Sequence, residues 1–196
     1  MRAARVLCLS VLVAACGPTL APAATVSPGD SPSSVASAPR IEQPPVSPPA
    51  PPGTKLPAFA CANVSAGQTG VAGAVTARVA EQTGYDRFVL QFDSPVPKYT
   101  VKRQATPTFP SGASGQTITL SGTSGVLVTV QTASGASTFT GPTDLTHGEY
   151  LVLKEARQTQ DFEGHLSWGL GLGKPACMRV FTLTDPARLV VDFSTT

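Results

Sequence analysis

Short segments of alternating apolar and polar residues, separated by turns rich in glycine and proline, fill the range Cys61–Phe193. In Arg87–Asp93, for example, Phe88, Leu90 and Phe92 fall on one side, and Arg87, Gln91 and Asp93 fall on the other. Near the end of the chain, Leu189, Val191 and Phe193 share one side in the same way. A period of two residues is that of a β-strand with one buried face. The 18 glycines and 19 prolines would break a bundle of helices. The pattern therefore predicts an all-β chain.

About nine short strands are predicted from this alternation. They are Ala74–Ala80, Arg87–Asp93, Tyr99–Arg103, Thr117–Leu120, Val126–Gln131, Tyr150–Ala156, Asp161–Leu170, Met178–Leu183 and Arg188–Phe193. Many short strands joined by tight turns are typical of an antiparallel sandwich or barrel, and the one-sided alternation indicates that each sheet covers a core on one face. We therefore predict an antiparallel β-sandwich over residues 59–196, in which Ala105–Gly115 is a loop.

The first fifteen residues have the features of an export signal. Arg2 and Arg5 precede a short apolar stretch that ends in small residues directly before Cys16. Positive charge, a short apolar core and small residues are typical of a secretory signal peptide, and the stretch is too short to span a bilayer. A cysteine directly after two alanines resembles the lipobox of bacterial lipoproteins, which implies that Cys16 carries lipid and becomes the first mature residue. The alternative is an ordinary secretory signal in which the cysteine occurs by chance.

Residues 16–58 have the composition of a disordered tether. Twelve of residues 18–57 are proline, and most of the others are Ala, Ser, Thr, Val or Gly. Proline removes backbone donors and fixes φ, and the small side chains offer too little apolar surface to offset the entropy of ordering. We expect the segment to hold the domain away from the membrane to which Cys16 anchors it.

The charge balance and the motifs restrict the classes of partner and cofactor. Removal of residues 1–15 takes away two of the 14 basic residues, so that 12 basic residues remain against 12 acidic ones. A formally neutral chain is not expected to bind nucleic acid. No phosphate loop or dinucleotide fingerprint occurs, and the cysteines and histidines lack the spacing of a metal site, so that no cofactor and no metal are predicted.

Four cysteines allow one simple pairing. Cys8 leaves with the signal peptide and Cys16 is assigned to lipid, which leaves Cys61 and Cys177. Two remaining cysteines in an oxidising compartment predict a disulfide that ties the start of the domain to a strand near its end. The alternative is two buried free thiols.

The segment Asp161–Leu172 carries the candidate binding residues. Taken as one strand, it places Trp168 on a core face together with Phe162, Leu166, Leu170 and Leu172. Four polar residues then share the opposite face: Asp161, Glu163, His165 and Ser167. Successive members lie too far apart along a strand for a Ser-His-acid triad, so no catalytic residue is predicted. The face is either a plain solvated surface or a shallow binding surface for a polar glycan or peptide.

Two further segments resemble a known family. Gly84–Phe92 stands near the start of the domain, and Asp185-Pro186-Ala-Arg-Leu-Val-Val-Asp192 stands at its end. The closing pattern resembles the end of AMIN domains, small β-sandwich modules that target cell-wall amidases and secretion-pore proteins to the envelope. Asp161–Leu172 is similar to the AMIN-like domains of actinobacterial lipoproteins. The resemblance covers roughly residues 70–194, and within its closing strand we expect Asp192 to pair with side chains of neighbouring strands.

The resemblance implies a non-catalytic lipoprotein on the outer face of the bacterial cell membrane. Its domain would bind peptidoglycan, another cell-wall glycan or an envelope protein, and we expect no amidase domain beside it. Two alternatives stay open. One is a small extracytoplasmic hydrolase that uses the 161–167 face, or a pair of carboxylates among Glu149, Glu155, Asp161 and Glu163. The other is a docking protein that accepts a strand at an exposed, unpaired and uncharged sheet edge.

Overall fold

A computed structural model describes residues 55–112 and 115–196, and every regular element in these ranges is a β-strand. The predictions for the signal peptide, for Cys16 and for almost all of the tether lie outside the described residues. Within the described ranges, no helix is long and apolar enough to cross a membrane.

Thirteen strands are described, and each predicted strand overlaps at least one of them. In chain order they are β1 (Val64–Ala66), β2 (Ala72–Gln82), β3 (Tyr85–Phe92), β4 (Tyr99–Gln104), β5 (Thr108–Ser111), β6 (Gln116–Thr119), β7 (Ser124–Gln131), β8 (Ala133–Ser134), β9 (Asp144–Thr146), β10 (Leu153–Phe162), β11 (His165–Leu172), β12 (Met178–Thr184) and β13 (Ala187–Ser194). The strands that the sequence pattern missed are short, with two to four residues each: β1, β5, β8 and β9.

The strands form two main sheets and a separate hairpin. The six-stranded sheet has the order β1-β4-β7-β11-β10-β9, and the five-stranded sheet has the order β12-β13-β3-β2-β8. Strands β5 and β6 pair only with each other. Every pairing between these strands is antiparallel except that of β2 with β8. The prediction of an all-β, antiparallel sandwich is confirmed.

The core lies between the two sheets and is built around Trp168. This residue of β11 is fully buried, and its ring lies 5.5 Å from that of Phe88 on β3 and 5.8 Å from that of Phe139. The inward residues of β3 and β13 that the alternation predicted are buried as well: Phe88, Leu90, Phe92, Leu189, Val191 and Phe193. Trp168 belongs to the six-stranded sheet and the residues of β3 and β13 belong to the five-stranded sheet, and all of them lie in one hydrophobic cluster that joins the two sheets.

Cys61 and Cys177 form a disulfide, which confirms the predicted pairing. Next to it, Ala60 and Met178 exchange two backbone hydrogen bonds of 2.8 and 3.0 Å. The bond closes a loop with a sequence separation of 116 residues. In the chain-entropy account, closing such a loop destabilises the unfolded chain by roughly 4–5 kcal/mol.

The predicted strand Asp161–Leu170 is wrong, because it spans a hairpin. Strand β10 ends at Phe162, β11 begins at His165, and the two residues between them have positive φ, 49° for Glu163 and 74° for Gly164. Positive φ at both central residues is the mark of a type I′ turn. Glu-Gly is not one of the dipeptides that are typical of this turn. The alternation therefore predicted one continuous strand across Glu163 and Gly164.

The predicted loop Ala105–Gly115 is also wrong in part, because it contains β5. Pro110 lies inside this strand, which is tolerated in a two-stranded hairpin where a backbone donor can be missing. Phe109 of β5 is fully buried against the outer face of the six-stranded sheet, where a Cβ atom at Gly125 or Gly169 would lie 2.6 Å from its ring. The hairpin β5–β6 therefore covers part of that outer face, and glycines make room for it.

Candidate functional site

The four predicted binding residues do not share one strand face. Asp161 lies on β10, half-buried, and its Oδ2 accepts a hydrogen bond of 2.8 Å from the Gly135 N–H. Glu163 is exposed in the hairpin turn. His165 and Ser167 lie on β11 and point to the outer face of the six-stranded sheet, where Ser167 is only 6% exposed. The structure therefore brings together two of the four residues. The same hairpin takes Phe162 out of the predicted core face, since Phe162 is 49% exposed.

His165 and Ser167 line an open cavity of about 260 Å³, which we call the polar pocket. It lies between the β5–β6 hairpin and the outer face of β7, β10 and β11. Its lining residues are Pro110, Leu127, Thr129, Thr159, Gln160, His165 and Ser167. The hairpin is fixed over the pocket by a hydrogen bond of 2.9 Å from the Gly112 N–H to the Thr159 carbonyl oxygen.

The polar pocket presents hydroxyl, amide and imidazole groups. Ser167 Oγ lies 3.3 Å from Thr129 Oγ1, so these two hydroxyls share one hydrogen bond. Thr159 is 5% exposed, and among the described residues its Oγ1 atom has no hydrogen-bond partner. A buried hydroxyl without a partner is costly, and a ligand group that bonded to Thr159 Oγ1 would remove this cost.

A register shift in the pairing of β10 with β11 accounts for the position of Thr159. The register changes between Gln158 and Gln160, so Thr159 is an extra residue in β10. Such a bulge redirects the side chains around it. Sequence reasoning missed Thr159 and Gln160 because alternation cannot place an extra residue. The one signal was the unbroken polar run Gln158–Asp161 before the hairpin turn.

The carboxylates considered for hydrolysis are held by other contacts or exposed. Glu155 Oε2 accepts hydrogen bonds from the N–H and Oγ of Ser121 at 2.8 and 2.9 Å. Glu149 bonds to His147 Nδ1 at 2.8 Å, and this hydrogen bond lowers the pKa of the Glu149 carboxyl. With Asp161 bonded to Gly135 and Glu163 exposed in the turn, Glu155 and Asp161 have structural roles. Among the described residues, no three His, Cys, Asp or Glu side chains come close enough to hold a metal ion.

The domain that carries the polar pocket matches one known protein family. The sequence profile of the AMIN-like domain matches residues 72–195, which is more than half of the chain. The chain belongs to the AMIN-like domain family. AMIN-like domains are cell-envelope targeting domains, so this domain belongs to the extracytoplasmic side of the cell. No curated protein matches the sequence.

The AMIN-like domain also has a larger open cleft of about 610 Å³ at one end of the five-stranded sheet. Segments Phe92–Val96 and Thr182–Ala187 form most of its walls. One of its two carboxylates, Asp93, accepts a hydrogen bond of 2.8 Å from the Gly73 N–H. Among the described residues that line this cleft, no buried polar side-chain atom lacks a partner. It therefore offers less unmet hydrogen bonding than the smaller polar pocket.

The outer face of the five-stranded sheet carries a third polar cluster. Asp192, which is fully buried, accepts hydrogen bonds from Arg87 Nε at 2.6 Å, from Arg87 Nη2 at 2.9 Å and from Arg179 Nε at 2.6 Å. Both arginines are direct register partners of Asp192 on the neighbouring strands. The structure thus gives Asp192 the cross-strand partners that the sequence led us to expect. Burial lowers the pKa of Arg87, but the hydrogen bond and the charge of Asp192 outweigh it, so the pKa lies above its usual value.

Three aromatic rings enclose these two arginines. Arg179 Cζ lies 4.6 Å from the ring centroids of both Phe59 and Tyr85. Arg87 Cζ lies 5.1 Å from the centroid of Tyr85 and 5.6 Å from that of Phe181. We call the cluster of these six side chains the arginine–aromatic stack: Phe59, Tyr85, Arg87, Arg179, Phe181 and Asp192. The sequence pattern did not indicate the stack, because its members come from four separate segments of the chain.

Proposed function

We propose that this AMIN-like domain is a non-catalytic binding module, and that its polar pocket binds peptidoglycan or another cell-wall glycan. The observation that carries the proposal is the buried Thr159 hydroxyl, which has no partner among the described residues and lies in a pocket with Ser167, His165 and Gln160. A few directed hydrogen-bonding groups in a concave site are what recognition of sugar hydroxyls and acetamido groups requires. The structural roles of Glu155 and Asp161 favour binding over hydrolysis.

The proposal includes the attachment of the domain to the membrane. Lipid on Cys16 would hold the chain on the outer face of the bacterial membrane, and residues 16–58 would give the domain reach into the wall. Such a tether could extend on the order of 100 Å at about 3.1 Å per residue. The polar pocket would then meet wall glycan while the chain stays anchored.

Co-sedimentation of the full chain with insoluble cell wall tests the polar pocket. Thr159→Val keeps the side-chain shape and removes the hydroxyl, so bound protein should fall by about three- to tenfold, the worth of one lost hydrogen bond. Thermal stability should stay equal or rise, because the variant also removes a buried group without a partner. His165→Ala should weaken binding as well, and Thr143→Val, at an exposed position outside the pocket, should not.

Two results would count against this function. Unchanged sedimentation of both Thr159→Val and His165→Ala would show that the polar pocket does not bind the cell wall. Release of soluble sugar or peptide products from the wall, abolished by Glu163→Ala, would move the protein to the hydrolases.

A second candidate function is strand addition at β12, an edge strand of the five-stranded sheet. Ala60 pairs with Met178 at one end of this strand. Alternate residues of a strand direct their backbone groups to the same side, so Val180, Thr182 and Thr184 turn theirs to the open edge. Among the described residues no backbone group bonds to them there. This edge is uncharged over Val180–Thr184, which is the pattern expected of a docking edge for an extended segment of an envelope protein.

Thr182→Pro tests strand addition without disturbing the sheet. Proline removes one N–H on the open side, and edge strands tolerate such a loss. If an envelope protein docks at β12, its cross-linking to the AMIN-like domain should be lost in Thr182→Pro, while wall sedimentation stays at the wild-type level. Cross-linking that survives Thr182→Pro would exclude docking at this edge.

A further inference from the structure

We propose that the arginine–aromatic stack is a second binding site, specific for the carboxylate groups of an acidic polymer. It lies on the five-stranded sheet and shares no residue with the polar pocket, so the inference does not depend on the proposed glycan function.

The charges of the stack do not balance. It contains two guanidinium groups and one carboxylate, and the side chains of Arg87 and Arg179 are only 6% and 13% exposed. One positive charge is therefore held in a largely desolvated place without a counter-charge in the stack. Desolvated charges are costly unless they are paired. A ligand carboxylate with one negative charge would neutralise the stack, because the two arginines would then face two carboxylates, that of Asp192 and that of the ligand.

The unused donor atoms define the geometry of the ligand. Asp192 takes Nε and Nη2 of Arg87 and only Nε of Arg179. Among the described residues, no hydrogen bond is formed by Nη1 of Arg87 or by either Nη atom of Arg179. The Phe59 and Tyr85 rings, each 4.6 Å from Arg179 Cζ, occupy the surroundings of its guanidinium and restrict approach to the remaining N–H groups. A carboxylate presents two coplanar oxygens that match the guanidinium fork.

Basic residues are concentrated on the sheet face that carries the stack. On β2, β3, β12 and β13, the register places four arginines and one acidic residue on the outer face: Arg78, Arg87, Arg179, Arg188 and Asp192. This face is therefore positively charged, although the chain without residues 1–15 is formally neutral. A positive face around one specific carboxylate site favours a polymer with repeated acidic groups over a single small acid.

Binding of fluorescent poly-L-glutamate to the full chain, followed by fluorescence anisotropy, tests the proposal. The wild type should bind, and its melting temperature should rise with polymer concentration because the ligand prefers the folded state. Arg179→Gln should raise the Kd by about tenfold or more, as expected for loss of a charge-assisted hydrogen bond. Arg179→Lys keeps the charge without the fork and should fall between the two.

Arg78→Gln is the matched control, because Arg78 is an exposed arginine on the same face outside the stack. It should change the Kd by less than about twofold, since exposed charge pairs contribute little. Thr159→Val should have no effect, which separates this site from the polar pocket. Polyphosphate and vesicles of anionic phospholipid should bind more weakly than poly-L-glutamate.

Three outcomes would overturn the proposal. Equal losses in Arg78→Gln and Arg179→Gln would show diffuse attraction to the whole face. Tighter binding of polyphosphate or of anionic vesicles would assign the face to phosphate groups or to a membrane surface. A wild-type protein that neither binds poly-L-glutamate nor melts at a higher temperature in its presence would exclude a carboxylate site without reference to any variant.

Discussion

Asp192 holds together the outer face of the five-stranded sheet. Its carboxylate is fully buried and takes three hydrogen bonds from Arg87 and Arg179. Asp192→Ala would leave two largely buried guanidinium groups unpaired, and breaking a buried ion pair in this way costs about 3–5 kcal/mol. We expect urea denaturation to show a loss of stability of that size.

Glu81→Ala is the control for the effect of removing a carboxylate from this sheet. Glu81 lies exposed near the end of β2, and an exposed substitution changes stability by less than about 0.5 kcal/mol. Equal denaturation midpoints for Asp192→Ala and Glu81→Ala would contradict the role given to Asp192.

The sequence correctly predicted the burial of single residues where the pattern within one strand was sufficient. The alternation in β3 assigned Phe88 and Leu90 to the core, and both are fully buried. It could not tell which residues meet Asp192, because Arg87 lies 105 positions away in the chain. The alternation of apolar and polar residues within one strand indicates which side chains are buried. Contacts between strands depend on which strands are neighbours in the sheet, and the alternation gives no information about that order.

The β5–β6 hairpin is the element that converts a plain sheet face into a pocket. It packs through Phe109 on the glycine positions of β7 and β11, and a Cβ atom at Gly169 would lie 2.6 Å from the Phe109 ring. Gly169→Ala should therefore displace the hairpin and cost about 1–3 kcal/mol, the usual cost of overpacking. Thermal denaturation measures the loss, and wall binding through the polar pocket should fall with it.

Gly148→Ala provides a matched control for the glycine substitution. Nothing lies within 4 Å of the Cβ position at Gly148, so we expect stability close to that of the wild type. In a Phe109→Ala background the cost of Gly169→Ala should shrink, because the ring that causes the clash is gone. An equal loss of stability in both backgrounds would show that the side chain at position 169 does not clash with Phe109 of the hairpin.

At the level of elements, the sequence predicted most strands but not the hairpin between β10 and β11. The polar run Gln158–Asp161 lacks alternation, and the turn residues Glu163 and Gly164 are not a usual hairpin pair. The candidate site was therefore drawn on one straight strand, and only His165 and Ser167 of it meet in the polar pocket. The bulge at Thr159 and the packing of β5 depend on tertiary contacts that periodicity does not report.

At the scale of the whole molecule, the AMIN-like domain is proposed to be attached to the membrane by a lipid on Cys16 and by the tether of residues 16–58. Cys16→Ser should move the protein from the membrane fraction to the culture medium, because lipidation at Cys16 is the proposed attachment to the membrane. Cell fractionation followed by immunoblotting measures this. An intact mass that shows an unmodified Cys16 in the wild-type protein would contradict the anchor.

Nuclear magnetic resonance gives the most direct test of the central claim, that the AMIN-like domain binds wall glycan through its polar pocket. The isotope-labelled full chain is titrated with a soluble glycan fragment of the wall, and backbone amide shifts are followed. The account predicts that the largest shifts fall on five lining residues: Thr129, Thr159, Gln160, His165 and Ser167. Shifts confined to the β12 edge or to the cleft around Asp93, with the lining of the polar pocket unmoved, would contradict it.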